Sequence, residues 1–208
     1  MGTLIAACGG SIVTAILFWL YPRFDRWWDR PILKVETGTQ DGFVSLNPLF
    51  DLGGQQQGSG CYVRVKVTNV GKHVARKCTG YLTAVEEWSG GAFQPTSYTD
   101  ILRLVWSHNA ECVGMDLVTD TPHWLDVLST LEGTQAFRLE TAVKPFRYGD
   151  GFGNTSVYRL TIQVVAEEID PVVTHLYIRW DGNWNNRTLV LGEKEVQASC
   201  PAAKSQSG

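Results

Sequence analysis

Residues 62–69 read YVRVKVTN, the clearest structural pattern in the chain. Apolar side chains alternate there with polar ones: Val63, Val65 and Val67 on one side, Arg64, Lys66 and Thr68 on the other. Successive side chains of a β-strand point to opposite faces, so this pattern predicts a half-buried strand. The same alternation recurs at residues 158–164 and 176–180. It is typical of antiparallel sheets that have one side in water.

The segments around these strands extend the β pattern through the chain. Residues 70–73 predict a turn, and residues 74–86 predict the returning strand. Weaker strand candidates, separated by turns containing Gly, Pro, Asn or Asp, are 32–37, 101–106, 113–118, 136–143 and 187–191. Outside the N-terminal segment, residues 123–131 are the candidate for a short helix. The number and spacing of the strands predict a mainly β protein built as an antiparallel two-sheet sandwich, and argue against an α/β fold.

Residues 61–86 resemble a known kind of module. The alternating strand, the turn Asn69-Val70-Gly71 and a second strand that begins with small residues resemble the hairpin of immunoglobulin-like and cell-adhesion-related bacterial β-sandwich modules. The resemblance implies an immunoglobulin-like sandwich and carries over no catalytic residues. The longer layout, one N-terminal span followed by such a sandwich, resembles uncharacterised membrane-anchored bacterial proteins. That resemblance implies an interaction role.

The N-terminal segment, residues 2–21, contains no Asp, Glu, Lys or Arg. A helix of this length, at about 1.5 Å per residue, spans roughly the 30 Å hydrocarbon core of a bilayer. The sequence therefore predicts a transmembrane helix at 2–21 and an interfacial linker at 22–31. Aromatic and basic side chains suited to the headgroup layer flank its end: Trp19, Tyr21, Arg23, Arg26, Trp27 and Trp28.

The cations near this segment predict its orientation. Only the α-amino group precedes it, whereas four cations follow closely: Arg23, Arg26, Arg30 and Lys34. Cytoplasmic flanks carry the excess of basic residues, so we expect a single-pass protein of the cell membrane with a cytoplasmic globular domain. The alternative is a secretory signal peptide, but the apolar run ends in Trp-Leu-Tyr-Pro, a poor cleavage site.

Small side chains recur along the predicted span at Gly2, Ala6, Gly10 and Thr14. A face of small residues allows another helix to pack closely, so it predicts a homo-oligomer. The simpler alternative is that such residues are common in single-span helices.

Composition indicates that the rest of the chain folds as one domain, at residues 32–198. Hydrophobic residues make up 44% and charged residues 19%, which is ordinary globular usage and is enough for a sizeable core. We expect mobile loops at 53–60 and 149–154, and a disordered tail at 199–208.

Charge argues against a nucleic-acid partner. The net charge is −3, but the stretch from Arg23 to Lys34 is net +2, so the remainder carries −5. Binding phosphates requires clustered cations, which this remainder lacks.

Motifs for metal binding and catalysis are absent from the sequence. Five cysteines at irregular spacing do not form a disulfide framework. The nearest approach to a metal site is His108 and Cys112, with His123 further along, but the chain has no Cys-x-x-Cys or His-x-x-x-His, so this signal is weak. We therefore predict no metal, no cofactor and no catalytic residue. Carboxylates such as Asp116, Asp120 and Asp126, or the adjacent Glu167 and Glu168, would act in catalysis only if the fold brought two of them together in a pocket.

A polar turn at residues 180–187 is the candidate binding site. Trp184, with Asn183, Asn185 and Arg187 beside it, could stack on a sugar or anchor a partner. The simpler alternative is a hairpin turn whose Trp packs back on the sandwich.

These observations predict a membrane-anchored, non-enzymatic β-sandwich module that binds or senses a protein partner at the cytoplasmic face. The alternatives are an extracytoplasmic carbohydrate- or envelope-binding domain and an enzyme with a dispersed site. The side of the membrane on which the domain lies distinguishes the protein-binding module from the carbohydrate- or envelope-binding domain. Convergent carboxylates or His in a pocket would favour the enzyme.

Overall fold

The computed structural model describes residues 30–50, 54–107, 109, 111–134, 136–143, 154–180 and 190–199. Twelve strands and one short helix lie within these residues: β1 Leu33–Glu36, β2 Val44–Phe50, β3 Gln56–Asn69, β4 Ala75–Ser89, β5 Ala92–Pro95, β6 Leu102–Arg103, β7 Val105–Trp106, β8 Met115–Leu117, β9 Pro122–Leu131, β10 Arg138–Leu139, β11 Asn154–Ala166, β12 Ile169–Trp180 and α1 Glu193–Ser199. The protein is mainly β, as predicted.

The described strands form two antiparallel sheets. In sheet one the order is β1-β3-β9-β10, with β2 also paired to β3 and β7 to β9; in sheet two the order is β12-β11-β4-β5, with β6 and β8 also paired to β4. The core between them receives side chains from both sheets, among them Val65 of sheet one and Leu160 of sheet two, each fully buried. The prediction of a two-sheet antiparallel arrangement is confirmed.

Period-two alternation correctly identified parts of the long strands β3, β11 and β12. In β3, Val63, Val65 and Val67 are buried, whereas Tyr62 and Lys66 on the opposite face are half-buried. Arg64 breaks the pattern, since it lies on the outer face and is nevertheless only 8% exposed. Its burial has a local cause, an ion pair described below.

The predicted hairpin between residues 62–69 and 74–86 is wrong. Strand β3 belongs to sheet one and β4 to sheet two, so the chain passes from one sheet to the other between them. Both strands bury one apolar face, and these faces pack against each other across the core instead of lying side by side. The buried side chain of Asn69 stabilises this connection between the sheets. It accepts a hydrogen bond from the backbone nitrogen of Gly71 and donates one to the backbone oxygen of His73. Alternation defined the two strands but not their pairing.

The predicted helix at 123–131 is also wrong, because this segment is strand β9 in the middle of sheet one. Residues from Leu125 to Thr130 are all buried. Their burial therefore follows neither the two-residue period of a half-buried strand nor the roughly 3.6-residue period of an amphipathic helix. A β-bulge between Val63 and Arg64 in the pairing with β3 shifts the register, so the alternation on β9 is interrupted.

The remaining local predictions are partly corrected. Strand β3 begins at Gln56, so most of the predicted loop at 53–60 is paired to β2. Segment 101–106 forms two short strands in different sheets, and segments 32–37, 113–118 and 136–143 contain shorter strands than predicted. Ser199 ends α1 instead of beginning a disordered tail; residues 200–208 lie outside the described residues. The predicted loop at 149–154 lies outside them too, except for Asn154, which begins β11.

The two sheets interlock closely at one point. Gly80 of β4 faces Leu125 of β9, and a β-carbon added at Gly80 would lie 2.5 Å from the Leu125 side chain. Nearby, the indole nitrogen of Trp106 in sheet one donates to the backbone oxygen of Cys78 in sheet two, at 3.2 Å. These contacts fix the distance between the sheets.

The N-terminal predictions fall on residues that the structure does not describe. The transmembrane helix at 2–21, its small-residue face and most of the linker at 22–31 lie outside the described residues, which begin at Arg30. Within the part of the chain that the structure describes, no helix is long and apolar enough to cross a membrane.

Candidate partner-binding surface

The outer face of sheet two carries a stripe of aromatic side chains with one arginine among them. We call this stripe the aromatic face; it consists of Trp88, Phe93, His175 and Tyr177, together with Arg159. Strand pairing places them together. Trp88 of β4 is opposite Phe93 of β5, and Arg159 of β11 is opposite Tyr177 of β12. On β11 and β12 the positions of Arg159 and Tyr177 alternate with buried core residues, so the sheet itself sets their direction.

The rings of the aromatic face contact each other in sequence. The centroid of Trp88 lies 5.1 Å from that of Phe93, and Phe93 lies 5.7 Å from Tyr177. The His175 ring continues the row, 6.5 Å from Tyr177. Edge-to-face and tilted contacts at these distances are favourable, so the stripe is held in place before any ligand binds.

A clamped cation lies in the middle of the aromatic face. Arg159 donates from Nε and Nη2 to the two carboxylate oxygens of Glu86, at 2.6 and 2.7 Å. Its guanidinium also lies 4.6 Å from the centroid of Phe93, within cation–π distance. The hydrogen bonds from Arg159 lower the pKa of Glu86, and the carboxylate in turn raises the pKa of Arg159. The surface therefore presents a fixed guanidinium between rings.

The C-terminal segment covers one side of the aromatic face. Leu191 is buried against Val157 of β11, and Val196 of α1 packs on the same small cluster together with Trp88, Phe93 and Tyr177. The backbone nitrogen of Leu191 donates to the backbone oxygen of Tyr177 at 2.9 Å, which joins this segment to the edge of β12. His175, farther along β12, is exposed. Trp88, Phe93 and Tyr177 are thus half-buried beside this segment.

The predicted site at Trp184, Asn183, Asn185 and Arg187 lies outside the described residues, as do the anchor residues Trp19, Tyr21, Arg23, Arg26, Trp27 and Trp28. Segment 181–189 connects the end of β12 to Val190, which forms a bridge with Ile178. The structure therefore does not test the predicted site, but it places the two ends of this segment, Trp180 and Val190, beside the aromatic face.

Sequence reasoning missed the aromatic face, although part of the signal was available. Tyr177 stood on the polar side of a predicted strand, opposite buried Leu176 and Ile178. Trp88 fell outside because the predicted strand ended at residue 86, whereas β4 continues to Ser89; Phe93 fell outside because β5 is only four residues long. Their proximity to Tyr177 depends on strand order, which alternation does not reveal.

A second polar cluster lies on the outer face of sheet one. Arg64 Nε donates to Asp126 Oδ1 at 2.7 Å, and both residues are less than 10% exposed. The Ser107 hydroxyl donates to the same oxygen at 2.5 Å, and Ser129 donates to Glu140 nearby. A buried ion pair needs such additional hydrogen bonds, because desolvation of the two charges is costly.

The two carboxylates of this cluster converge on Tyr62. Burial raises the pKa of Tyr62, and the negative charges of Glu140 and Asp126 raise it further. Asp126, however, is engaged by Arg64 and Ser107. A general base must be available to accept a proton, so this carboxylate has a structural role. The cluster stabilises the outer face of sheet one and explains the burial of Arg64.

Among the other candidate carboxylates, Glu167 and Asp116 both contact Lys77. Glu167 and Glu168 form the turn between β11 and β12 instead of lying on a strand, and Glu168 has a φ of 60°. Glu167 pairs with Lys77 at 2.5 Å, and Asp116 accepts from the Lys77 backbone nitrogen. In the described ranges, no group of three or more His, Cys, Asp or Glu residues is placed to hold a metal ion. Of the candidate ligands, Cys112 is half-buried and His108 is not described.

The chain matches no protein-family model and no curated protein. Function must therefore be argued from the residues and their geometry.

Proposed function

We propose that the protein is a membrane-anchored, non-enzymatic module that binds a partner protein at the cytoplasmic face through the aromatic face of sheet two. The observation that carries this proposal is the preorganised row of Trp88, Phe93, Tyr177 and His175, with Arg159 clamped against it.

The composition of the aromatic face suits protein recognition. Trp, Tyr and Arg are the residue types that most often dominate the binding free energy of protein interfaces. The ring contacts and the bidentate ion pair restrict these side chains before binding, so less conformational entropy is lost when a partner docks. Trp184 and Arg187, in the segment that adjoins this face, are proposed to contribute to the same contact.

Anchoring supports this role. The apolar, uncharged residues 2–21 and the cations that follow them are the basis for a membrane span with the domain on the cytoplasmic side. A tethered domain meets its partner at a raised effective concentration, so modest affinity is enough.

We also propose that the two-sheet fold is immunoglobulin-like. Support comes from connections that change sheets, between β3 and β4 and between β10 and β11, as in sandwiches with Greek-key connections.

Site-specific photocrosslinking in cells tests the binding proposal. A photoreactive amino acid replaces exposed His175 in the full chain; the matched control carries it at Lys34, whose side chain is 57% exposed and lies in sheet one. We expect a discrete protein adduct from position 175 that is lost when Arg159→Ala is added, and none from position 34. Equal adducts at both positions, or none at 175, would refute the proposal.

The half-exposed rings also fit the alternative of carbohydrate binding outside the membrane, since aromatic side chains stack on sugars. A glycan array distinguishes the two. Binding to a glycan that Tyr177→Ala abolishes would favour the carbohydrate function, and protein adducts at position 175 without glycan binding would favour the proposal above.

A further inference from the structure

Exposed apolar side chains cluster near the point where the described chain begins, at Arg30. Ile32, Val70, Val74 and Val118, which we call the apolar rim, are 47%, 46%, 42% and 49% exposed. Single exposed apolar residues are ordinary, but these four belong to three chain segments that meet at one place.

Buried Asn69 joins the three segments. Its side-chain oxygen accepts from Ile32 N, and its amide nitrogen donates to Leu117 O at 3.0 Å and to His73 O at 2.6 Å. Ile32 is itself one of these bonded residues. Val74 and Val118 directly follow His73 and Leu117 in the chain, and Val70 directly follows Asn69. The rim is a rigid surface.

The described chain begins against this rim. A β-carbon added at Gly71, next to Val70, would lie 2.5 Å from the backbone oxygen of Arg30. The predicted interfacial residues Trp27 and Trp28 precede Arg30 by only two or three positions. At about 3.5 Å per residue, that distance is roughly 7 to 10 Å, so rings in the headgroup layer would bring the rim to the bilayer surface.

Charge near the rim is mixed. Lys72, Arg76 and Asp120, which lie within a few residues of the rim in the chain, are all exposed. An open groove of about 390 Å³ beside Ile32 is lined by apolar Ile169 and Val172 but also by Glu168 and Asp170. Contact with a bilayer would therefore depend on apolar insertion more than on anionic lipid.

We propose that the apolar rim of Ile32, Val70, Val74 and Val118 inserts into the headgroup region of the bilayer and fixes the orientation of the domain on the membrane. This inference rests on the proposed membrane anchoring. In this orientation the long axis of β4 rises from the membrane, so its far end and the neighbouring aromatic face stand away from the lipid surface.

Photocrosslinking to lipid tests the rim. The full chain is reconstituted in phosphatidylcholine nanodiscs with a photoreactive amino acid at Val74 or Val118. The matched control is Ser89, an exposed residue at the opposite end of β4 from Val74. Fifteen residue steps at about 3.3 Å each place Ser89 up to roughly 50 Å away.

Intact mass spectrometry reads the outcome. We expect phospholipid adducts at positions 74 and 118 in several times the yield seen at 89. Equal yields from a chain that remains in the nanodisc would overturn the rim proposal alone, and so would adducts between two copies of the chain. A chain that does not enter nanodiscs would overturn the anchoring on which the rim depends.

Discussion

The side-chain oxygen of Asn69 accepts a hydrogen bond from the backbone nitrogen of Ile32 at 3.2 Å, which ties the start of β1 to the end of β3. The same side chain makes three further bonds and is fully buried. One asparagine thus satisfies the backbone at the point where the chain crosses from sheet one to sheet two.

Replacing Asn69 by Leu should destabilise the protein strongly. Several buried backbone groups would lose their partners at once, and a cost of about 3 kcal/mol in the free energy of unfolding is expected. Urea unfolding of the detergent-solubilised chain measures it. Asn109→Ala, at an exposed position, is the control and should change the free energy by less than about 0.5 kcal/mol. A loss below about 1 kcal/mol for Asn69→Leu would argue against the bonding described here.

Gly80→Ala should also destabilise the fold, because the new methyl group would overlap Leu125 across the core. Overpacking of this kind costs about 1 to 3 kcal/mol. The double variant Gly80→Ala/Leu125→Ala should lose less stability than the sum of the two single variants, since each substitution compensates the other. Additive losses in thermal unfolding would mean that the two sheets do not meet at this point.

The sequence predicted strands well and pairing poorly. Val63, Val65 and Val67 alternate with polar residues because β3 has one face in the core, and this local signal requires no knowledge of the rest of the fold. Whether β4 pairs with β3 depends on contacts made elsewhere. It pairs with β11, more than 70 residues away in the chain, and no periodicity encodes that choice.

The missed elements have equally specific causes. Residues 123–131 lack alternation because Asp126 is buried by Arg64 on the outer face, so both faces of β9 are covered. The aromatic face depends on β5 packing beside β4, and β5 is too short for a periodic signal. The predicted binding site at Trp184 and its neighbours lies outside the described residues and stays a prediction.

The Arg159–Glu86 pair predicts a pH dependence. Arg159 lowers the pKa of Glu86 below 4.5, so the pair contributes its full stability above pH 4.5 and loses it as the pH falls through the lower folded-state pKa. Glu86→Gln should therefore cost about 1 kcal/mol at pH 7 and progressively less in acid. Unfolding curves at a series of pH values measure this difference. Glu111→Gln, at an exposed position, is the control. A cost for Glu86→Gln that stays constant down to pH 2.5 would contradict the assignment.

The three described thiols should react at different rates. Cys61 and Cys78 are buried and Cys112 is half-buried, and burial raises the pKa of Cys78 from 9.0 to about 11. That shift lowers the thiolate fraction of Cys78 about 100-fold near neutral pH. Cys112 should therefore be alkylated first in the native protein, as peptide mass spectrometry reports, and all three at similar rates in urea. Native labelling of Cys78 as fast as Cys112 would show that the core is open.

The reactivity of Cys112 also allows the most direct test of the proposal that the domain is anchored at the cytoplasmic face of a membrane. Intact cells expressing the full chain are treated with a membrane-impermeant maleimide before or after permeabilisation, and the modification of Cys112 is quantified by mass spectrometry. The proposal predicts that Cys112 in the membrane fraction is labelled only after permeabilisation. Labelling in intact cells would contradict the cytoplasmic assignment and favour binding outside the cell.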